Sequence, residues 1–334
     1  GAMDELAAGD PWRLATDLGP VIDDEAQSAI SAYIDAARAE GRVLKELAVP
    51  QVTFGAGHFI APTVIRVSGI AQMTREIFGP VLHIATFKAR DIDKVVAAVN
   101  ATGYGLTFGL HTRIDDRVQS VVDALRVGNI YVNRNQIGAV VGSQPFGGEG
   151  LSGTGPKAGG PEYLLRFCAS PRPQSGAVGQ TGEHATAEAD IAAALRTTRP
   201  GAMAVHTRDL PGPTGESNRL SAYARDPMLC LGPDAPAALA QAEAVRRFGG
   251  LAIEAPGLAP EVLTRLRGFG GAIFWGGETA ARAYAQALAR RQGPILPLID
   301  GLPDVAHVML ERHVCIDTTA SGGNAQLLAE VGAV

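Results

Sequence analysis

Apolar residues recur at helical spacing from Asp24 to Glu40, where Ala26, Ile30, Tyr33, Ile34 and Ala37 fall on one stripe. The pattern predicts a helix packed on one face, with Asp23 or Asp24 as N-cap and Gly41 just past its end. Phe59 to Val67 is apolar and β-branched but broken by Pro62, which predicts an edge strand or a bulged one. Val81 to Lys88 reads as a second strand. A helix from Asp91 to Asn100 follows, presenting Ile92, Val95, Val96 and Val99 and stopping at Gly103. A third strand, Thr107 to Thr112, leads into a helix capped by Asp115 or Asp116 that uses Val118, Val121, Val122 and Leu125 and closes at Gly128; Asn129 to Asn133 is then another strand. Strands alternating with helices of this length predict an α/β fold with a parallel-type sheet and flanking helices.

From Gly138 to Gly160 the rhythm stops, and nine glycines occur in 23 residues. Each glycine loses more backbone freedom on ordering than any other residue, so such a loop serves to bring backbone close to a ligand or another segment. Ser170 to Arg199, rich in Ser, Pro, Gly, Thr and Ala, reads as a linker. Beyond it, Met228 to Leu231, Leu251 to Glu254, Ala272 to Trp275 and Ile295 to Ile299 are short apolar runs, separated by helical composition at Ala237 to Phe248, Pro260 to Leu266 and Glu278 to Arg291. They predict a second, Rossmann-like α/β unit. The opening Gly1-Ala2-Met3 reads as the remnant of a tag. The expected organisation is therefore tag residues 1–3, a first domain 4–169, a linker 170–200 and a second domain 201–334.

Composition narrows the function classes. The chain has 334 residues, 46% of them hydrophobic, enough for packed cores. Its 29 basic and 34 acidic side chains give a net charge of −5 without a dense basic cluster, which argues against a nucleic-acid partner. No apolar run approaches the roughly 20 residues of a membrane span, so a cytoplasmic location is expected. Cys168, Cys230 and Cys315 sit in apolar contexts and read as reduced, buried thiols. His58, His83, His111, His184, His206, His307 and His313 show no metal-ligand spacing, so no metal is expected. His313 and Cys315, two apart on an extended segment, share a face, but without a third orienting group they read as structural rather than as a base and nucleophile.

Two segments carry candidate chemistry. In Glu76-Ile77-Phe78-Gly79-Pro80 the carboxylate can accept hydrogen bonds from two ribose hydroxyls while the phenyl ring packs on the sugar and nicotinamide. A surface turn with a helix-capping Glu and a buried Phe is the competing reading. The glycine-rich loop, with Phe146-Gly147-Gly148 and Leu151-Ser152-Gly153-Thr154-Gly155-Pro156-Lys157, lacks the pattern that sets a lysine and hydroxyl at a helix start for a triphosphate. Successive backbone amides aimed at a carboxylate fit it better.

These segments together resemble the aldehyde dehydrogenase superfamily, and within it the L-glutamate-γ-semialdehyde (pyrroline-5-carboxylate) dehydrogenase module of the bifunctional proline utilisation A (PutA) family. The matching stretches are Thr16 to Asp23, Arg75 to His83, Gly103 to Arg113, Gly128 to Asn135, and Gly138 through Gly160 into Tyr163-Leu164-Leu165-Arg166-Phe167. Gly212 to Asn218 and Cys315 to Ala325 are similar to the extra C-terminal domain of the long members. The resemblance implies that Glu76 and Phe78 hold the nicotinamide ribose of NAD, that Leu106 lies near the nicotinamide, and that Gly138 and Ala139 anchor the substrate α-carboxylate through backbone N–H groups, with Phe146 on its aliphatic part. It implies FAD only for a proline dehydrogenase domain upstream. A complete enzyme of this kind forms a thiohemiacetal at a cysteine, passes hydride to NAD and releases glutamate. That cysteine precedes Thr16 to Pro20 by a few tens of residues in the family, and none of the three cysteines occupies its position. The chain is thus expected to carry no catalytic residue and to be inactive alone. The resemblance also implies a homodimer, and a C-terminal domain that covers a substrate-channelling cavity with Gly322-Gly323-Asn324 as a tether. Two alternatives remain: a non-catalytic lid or oligomerisation module in its own right, and an aldehyde dehydrogenase for simple aliphatic aldehydes, against which the Gly138-Ala139 pair stands.

Overall fold

The computed structural model describes residues 1–48, 57–136, 138–169, 171 and 186–319. Gly1–Thr102 and Gly103–Val334 form two compact units.

In the first unit, helix α1 (Asp24–Ala39) starts where the Asp23 carboxylate accepts from the Ala26 N–H at 2.8 Å and stops where Gly41 turns to a φ of 68°, a conformation that costs glycine nothing. Ile30, Ile34 and Ala37, all on the predicted stripe, pack on Ile60, Ile65 and Val67. Strands β1 (Val43–Glu46), β2 (Thr63–Arg66) and β3 (Val81–Ile84) form a three-stranded sheet, antiparallel between β1 and β2 and parallel between β2 and β3. Both β2 and β3 are shorter than predicted, β2 because pairing begins only past Pro62, which has no N–H to give. Helix α2 (Ile92–Ala101) closes the unit.

The second unit opens with β4 (Tyr104–Gly105), β5 (Thr107–Leu110), α3 (Asp115–Ala124), β6 (Asn129–Val132) and β7 (Glu149–Gly150). Helix α3 has Ile114 rather than an aspartate at its N-cap and ends at Ala124, short of Gly128. Helix α4 (Glu188–Thr197) follows, then the antiparallel pair β8 (His206–Leu210) and β9 (Glu216–Ala224). Next come β10 (Met228–Cys230), α5 (Ala235–Arg247), β11 (Ala252–Glu254), β12 (Gly271–Ile273), α6 (Glu278–Ala289), β13 (Leu298–Ile299), α7 (Val305–Val308) and β14 (Met309–Asp317). Two sheets dominate.

Strands β11-β10-β12-β13 form an all-parallel sheet. Its central strand alternates between two cores. Leu229 and Leu231 pack with Ile191, Leu195, Leu263 and Tyr284, whereas Met228 and Cys230 pack with Ala238, Ala242 and Val245 of α5. Helices on both faces explain why the strand reads as an unbroken apolar run. The other sheet, β5-β6-β14-β9-β8, is parallel from β5 through β14 and antiparallel beyond. Strand β14, from the C-terminal stretch, thus lies directly between β6 and β9. The whole is mixed α/β with parallel-type sheets and flanking helices, as the pattern predicts.

The Ser170 to Arg199 linker expectation needs correction, because α4 occupies Glu188–Thr197 and buries Ile191 and Leu195 to 2% exposure each. Alanines diluted its apolar stripe. The remaining residues of that segment, apart from 171, 186, 187, 198 and 199, lie outside the described residues, as does the predicted Gly322 to Asn324 tether. If α4 is a core element, Leu195→Ala should lower unfolding free energy by about 2–5 kcal/mol, read by urea denaturation. A loss below about 1 kcal/mol would return the segment to the surface.

Candidate functional site

In the first unit, Ile77 turns inward against the α1 core. Its two neighbours therefore point out. Phe78 is 82% exposed and Glu76 is exposed. Among the described residues the Glu76 carboxylate has no hydrogen-bond or ion-pair partner. The turn is set by Gly79 N–H donating to Ile77 O (2.9 Å) and Val81 N–H to Gly79 O (2.7 Å). The reading of a capping Glu beside a buried Phe does not describe this segment. The segment thus presents a hydrogen-bond acceptor two residues from a flat apolar face.

In the second unit the glycine-rich loop is organised by Asn129, a residue that sequence reasoning quoted but gave no role. Asn129 is fully buried at the start of β6. Its N–H donates to Leu106 O (3.0 Å), Nδ2 donates to Pro145 O (2.8 Å), and Oδ1 accepts from Gly147 N–H (3.1 Å) and Lys157 Nζ (2.9 Å). One side chain thus clamps both neighbours of Phe146 and fixes them beside Leu106. Phe146 and Ala158 exchange backbone hydrogen bonds of 3.0 and 2.8 Å, folding the loop back on itself. Glycine is required at 128, where a Cβ would strike Gly147 O.

Upstream of Phe146 the loop is a tight turn. Ser143 and Gln144 N–H donate to Val140 O (3.2 and 2.9 Å), and the Val140 N–H donates to Gln144 Oε1 (3.1 Å). Just before it, Gly138 has a φ of 70°, and among the described residues the N–H groups of Gly138 and Ala139 have no protein acceptor. Two successive amides without a protein acceptor have donors to spare for an anion. The structure brings Leu106, Phe146 and this amide pair into the second unit; Glu76 and Phe78 belong to the first.

Strands β9 and β14 hold the loop through charge. Gln144 Nε2 donates to Glu216 Oε1 (2.9 Å), and Arg134 Nη1 reaches Glu216 Oε2 (2.8 Å) and Cys315 Sγ (3.3 Å). Arg312 grips Glu149 with two bonds of 2.9 and 3.0 Å, the fork geometry that suits a carboxylate. Lys157, 2% exposed, also donates from Nζ to Gly147 O, and its backbone N–H donates to Glu311 Oε2 (2.9 Å). Burial lowers the Lys157 ammonium to about 8, with Glu311 and Glu149 opposing the shift. Such pairs across 72 to 163 residues leave no local signal in the sequence.

The cysteines divide differently from expectation. Cys168 is exposed, while Cys230 and Cys315 are buried. Burial pushes the Cys230 thiol up to about 12 and the Cys315 thiol up to about 11, so both are protonated at neutral pH. Cys168 Sγ lies 3.6 Å from Leu164 O and has no base bonded to it among the described residues. His313 is fully buried but does not bond the Cys315 thiol. Burial, then the charge of Lys157, lowers its imidazolium to about 4, with the Ser143 backbone opposing. Among the described residues no group of three or more His, Cys, Asp or Glu side chains could hold a metal ion, and no helix is long and apolar enough to cross a membrane.

The comparisons decide the family: residues 1–171 match the model of the aldehyde dehydrogenase family. The chain belongs to it. This aldehyde dehydrogenase chain is 38% identical, over a 380-residue alignment covering 98% of it and 29% of the relative, to the bifunctional protein PutA of Escherichia coli strain K12. It is 42% identical over 164 residues, 48% of this chain and 30% of the relative, to the 1-pyrroline-5-carboxylate dehydrogenase of Bacillus cereus strain B4264. The solved structure of proline utilization A from Corynebacterium freiburgense matches 95% of this chain and 33% of that one with a TM-score of 0.61 at 24% identity, which shows a shared fold. The chain spans under a third of the length of these curated relatives.

Two tests follow from the buried groups of this dehydrogenase chain. Asn129→Ala strands Pro145 O and Gly147 N–H and leaves the Lys157 ammonium with only Gly147 O, and should cost about 3 kcal/mol or more in urea denaturation; a near-neutral result would mean the loop is held elsewhere. His313 titrates at about 4 when folded against 6.5 in the free side chain. Between those values the unfolded chain binds the extra proton, so stability should fall as pH drops from 6.5 to 4, by up to ~3 kcal/mol. His313→Leu should flatten that slope, and an unchanged slope would assign it to other groups.

Proposed function

We propose that this chain supplies the substrate-carboxylate and cofactor-ribose contacts of an NAD-dependent L-glutamate-γ-semialdehyde dehydrogenase of proline-to-glutamate catabolism, acting in the cytoplasm as part of a longer, homodimeric polypeptide. The observation that carries the reading is the pair of open amides at Gly138 and Ala139, on a turn whose following residues are locked by Gln144 and Asn129. A semialdehyde with an α-carboxylate satisfies that pair; a simple aliphatic aldehyde leaves it wasted. The names of the relatives point to the same substrate.

In this reading the Gly138 and Ala139 N–H groups donate to the α-carboxylate and orient the aldehyde carbon at the far end of the substrate. Phe146, half-buried with its backbone bridged to Ala158, packs on the methylenes. The Glu76 carboxylate accepts from the ribose hydroxyls, and Phe78 covers the sugar. Leu106, 42% exposed, excludes water beside the nicotinamide. NAD, when bound, supplies the hydride acceptor. Among the described residues no thiol is poised as a nucleophile, since two are buried and protonated and the third has no base bonded to it. The same absence favours a second reading, a lid or oligomerisation module, which needs no cofactor contact.

The test is NADH formation from the semialdehyde. The chain alone should produce none, and robust turnover would overturn the assignment of its thiols. In the native polypeptide that carries this chain, Gly138→Val forces a β-branched residue into the left-handed region. It should raise KM by about tenfold or more while kcat changes less, because carboxylate binding rather than chemistry is impaired. An unchanged KM would sink the amide-pair reading. A calorimetric NAD titration lost in Glu76→Ala separates the enzyme reading from the lid reading, in which no NAD binds.

A further inference from the structure

The second unit contains a cleft of about 640 Å³, within the range of small-molecule sites and remote in chemistry from the amide pair described above. Its lining includes Arg126, Glu149 and Thr154 from the glycine-rich loop and the end of α3, and Arg267, Phe269, Arg291 and the Pro294 to Pro297 stretch. Five arginines and three carboxylates line it: Arg126, Arg225, Arg267, Arg291 and Arg312 against Asp123, Glu149 and Asp226. Glu149 is already committed to Arg312. The chain as a whole is acidic, so this concentration of positive charge is a local feature.

Three of these guanidiniums are held by carbonyls alone. Arg225 donates to Met309 O and Thr154 O, both at 2.8 Å. Arg267 Nη1 donates to Gln292 O at 3.1 Å, and Arg291 donates to Leu263 O while its guanidinium carbon stands 4.5 Å from the centroid of the Phe269 ring. Among the described residues no carboxylate lies within ion-pair distance of the three. A carbonyl or a ring face orients a guanidinium without neutralising it, and each has five N–H donors, most of them still unused. Because Arg267 bonds the residue next to Arg291, the two cations are neighbours. Their mutual repulsion shows in the lowered titration of Arg291, for which burial is the first cause and the charge of Arg267 the second.

We propose that this cleft binds a small, multiply charged oxyanion, a phosphate or a dicarboxylate, gripped by Arg267 and Arg291. An oxyanion accepts from both planar forks at once and removes the like-charge repulsion that the protein leaves uncompensated. Phe269 and the Pro294 to Pro297 stretch add an apolar shelf for a carbon body. The mouth is open to solvent, so the affinity is modest and falls with ionic strength as the charges are screened.

Isothermal titration of this chain with inorganic phosphate and, separately, with succinate tests the assignment and tells the two chemistries apart, with sodium chloride at matched ionic strength as reference. At least one probe should bind saturably. Arg267→Gln, an exposed side chain whose loss spares the core, should weaken that binding about tenfold or more at an unchanged melting temperature without ligand. Arg291→Lys keeps the charge but loses the fork and should weaken it too. Arg282→Gln, a surface arginine outside the cleft, and Gly138→Val, in the carboxylate loop, should leave it unchanged; a loss with Gly138→Val would place the binding in the amide pair instead and overturn the proposal. Absence of saturable binding by either probe, equal binding by Arg267→Gln, or heats reproduced by sodium chloride would each overturn it as well.

Discussion

The glycine-rich loop of the second unit depends on a single buried amide side chain. A loop with nine glycines in 23 residues has little side-chain packing of its own and few regular hydrogen bonds. Asn129 supplies what is missing, because an amide carries both donors and an acceptor and so can fix two carbonyl and amide partners on opposite sides of Phe146 with one group. Its Oδ1 also takes the Lys157 ammonium, which would otherwise be a buried cation with only a backbone carbonyl for company. No apolar residue at 129 could do this, and an aspartate would supply acceptors but leave the Pro145 carbonyl without its donor.

Around that hub, attachment to the C-terminal strands is electrostatic rather than apolar. Glu216, Glu311 and Arg312 sit on β9 and β14, and each is matched by a loop partner: Gln144, the Lys157 backbone and Glu149. The pairs are largely buried, where an unmatched member is far more costly than in water. Register is therefore specified tightly. A one-residue slip of β14 against β9 or β6 would send Arg312 to the opposite face and leave Glu149 unpaired. The loop geometry at Gly138 to Gly147 and the order of the five-stranded sheet are consequently one constraint, although they come from stretches some 170 residues apart.

This explains which features could be read from sequence. Helix α1, the strands around Val64 and Leu82, and the β10 to β13 unit with α5 and α6 follow from apolar spacing, since each buries a stripe or a two-faced run against neighbours of the same kind. Strands β9 and β14 escaped because Arg219, Glu311 and Arg312 interrupt their apolar alternation, and only the partners across the fold make those charges tolerable. Helix α4 escaped because alanines dominate it. The sequence left Phe78 open between an outward ring and a buried one, because an aromatic next to Gly-Pro is more economically buried and spacing alone does not choose. Asn129, Gln144 and Lys157 were visible as letters in motifs, but their roles are long-range hydrogen bonds with no sequence period.

The ionisation pattern adds a further step. His313 behind the loop titrates near 4 and is neutral over the physiological range, Cys315 near 11 is likewise neutral, and the amides at Gly138 and Ala139 carry no titratable proton. Of these three titratable groups, Lys157 changes charge nearest neutrality, at about 8, and it is buried behind Gly147 rather than at the amide pair. A carboxylate held by Gly138 and Ala139 is therefore gripped by groups whose charge stays constant from about pH 5 to pH 7. Under the proposed reading, carboxylate anchoring by the amide pair stays level with pH in that range. An arginine anchor would be equally constant in charge, but backbone amides orient the substrate without burying another cation.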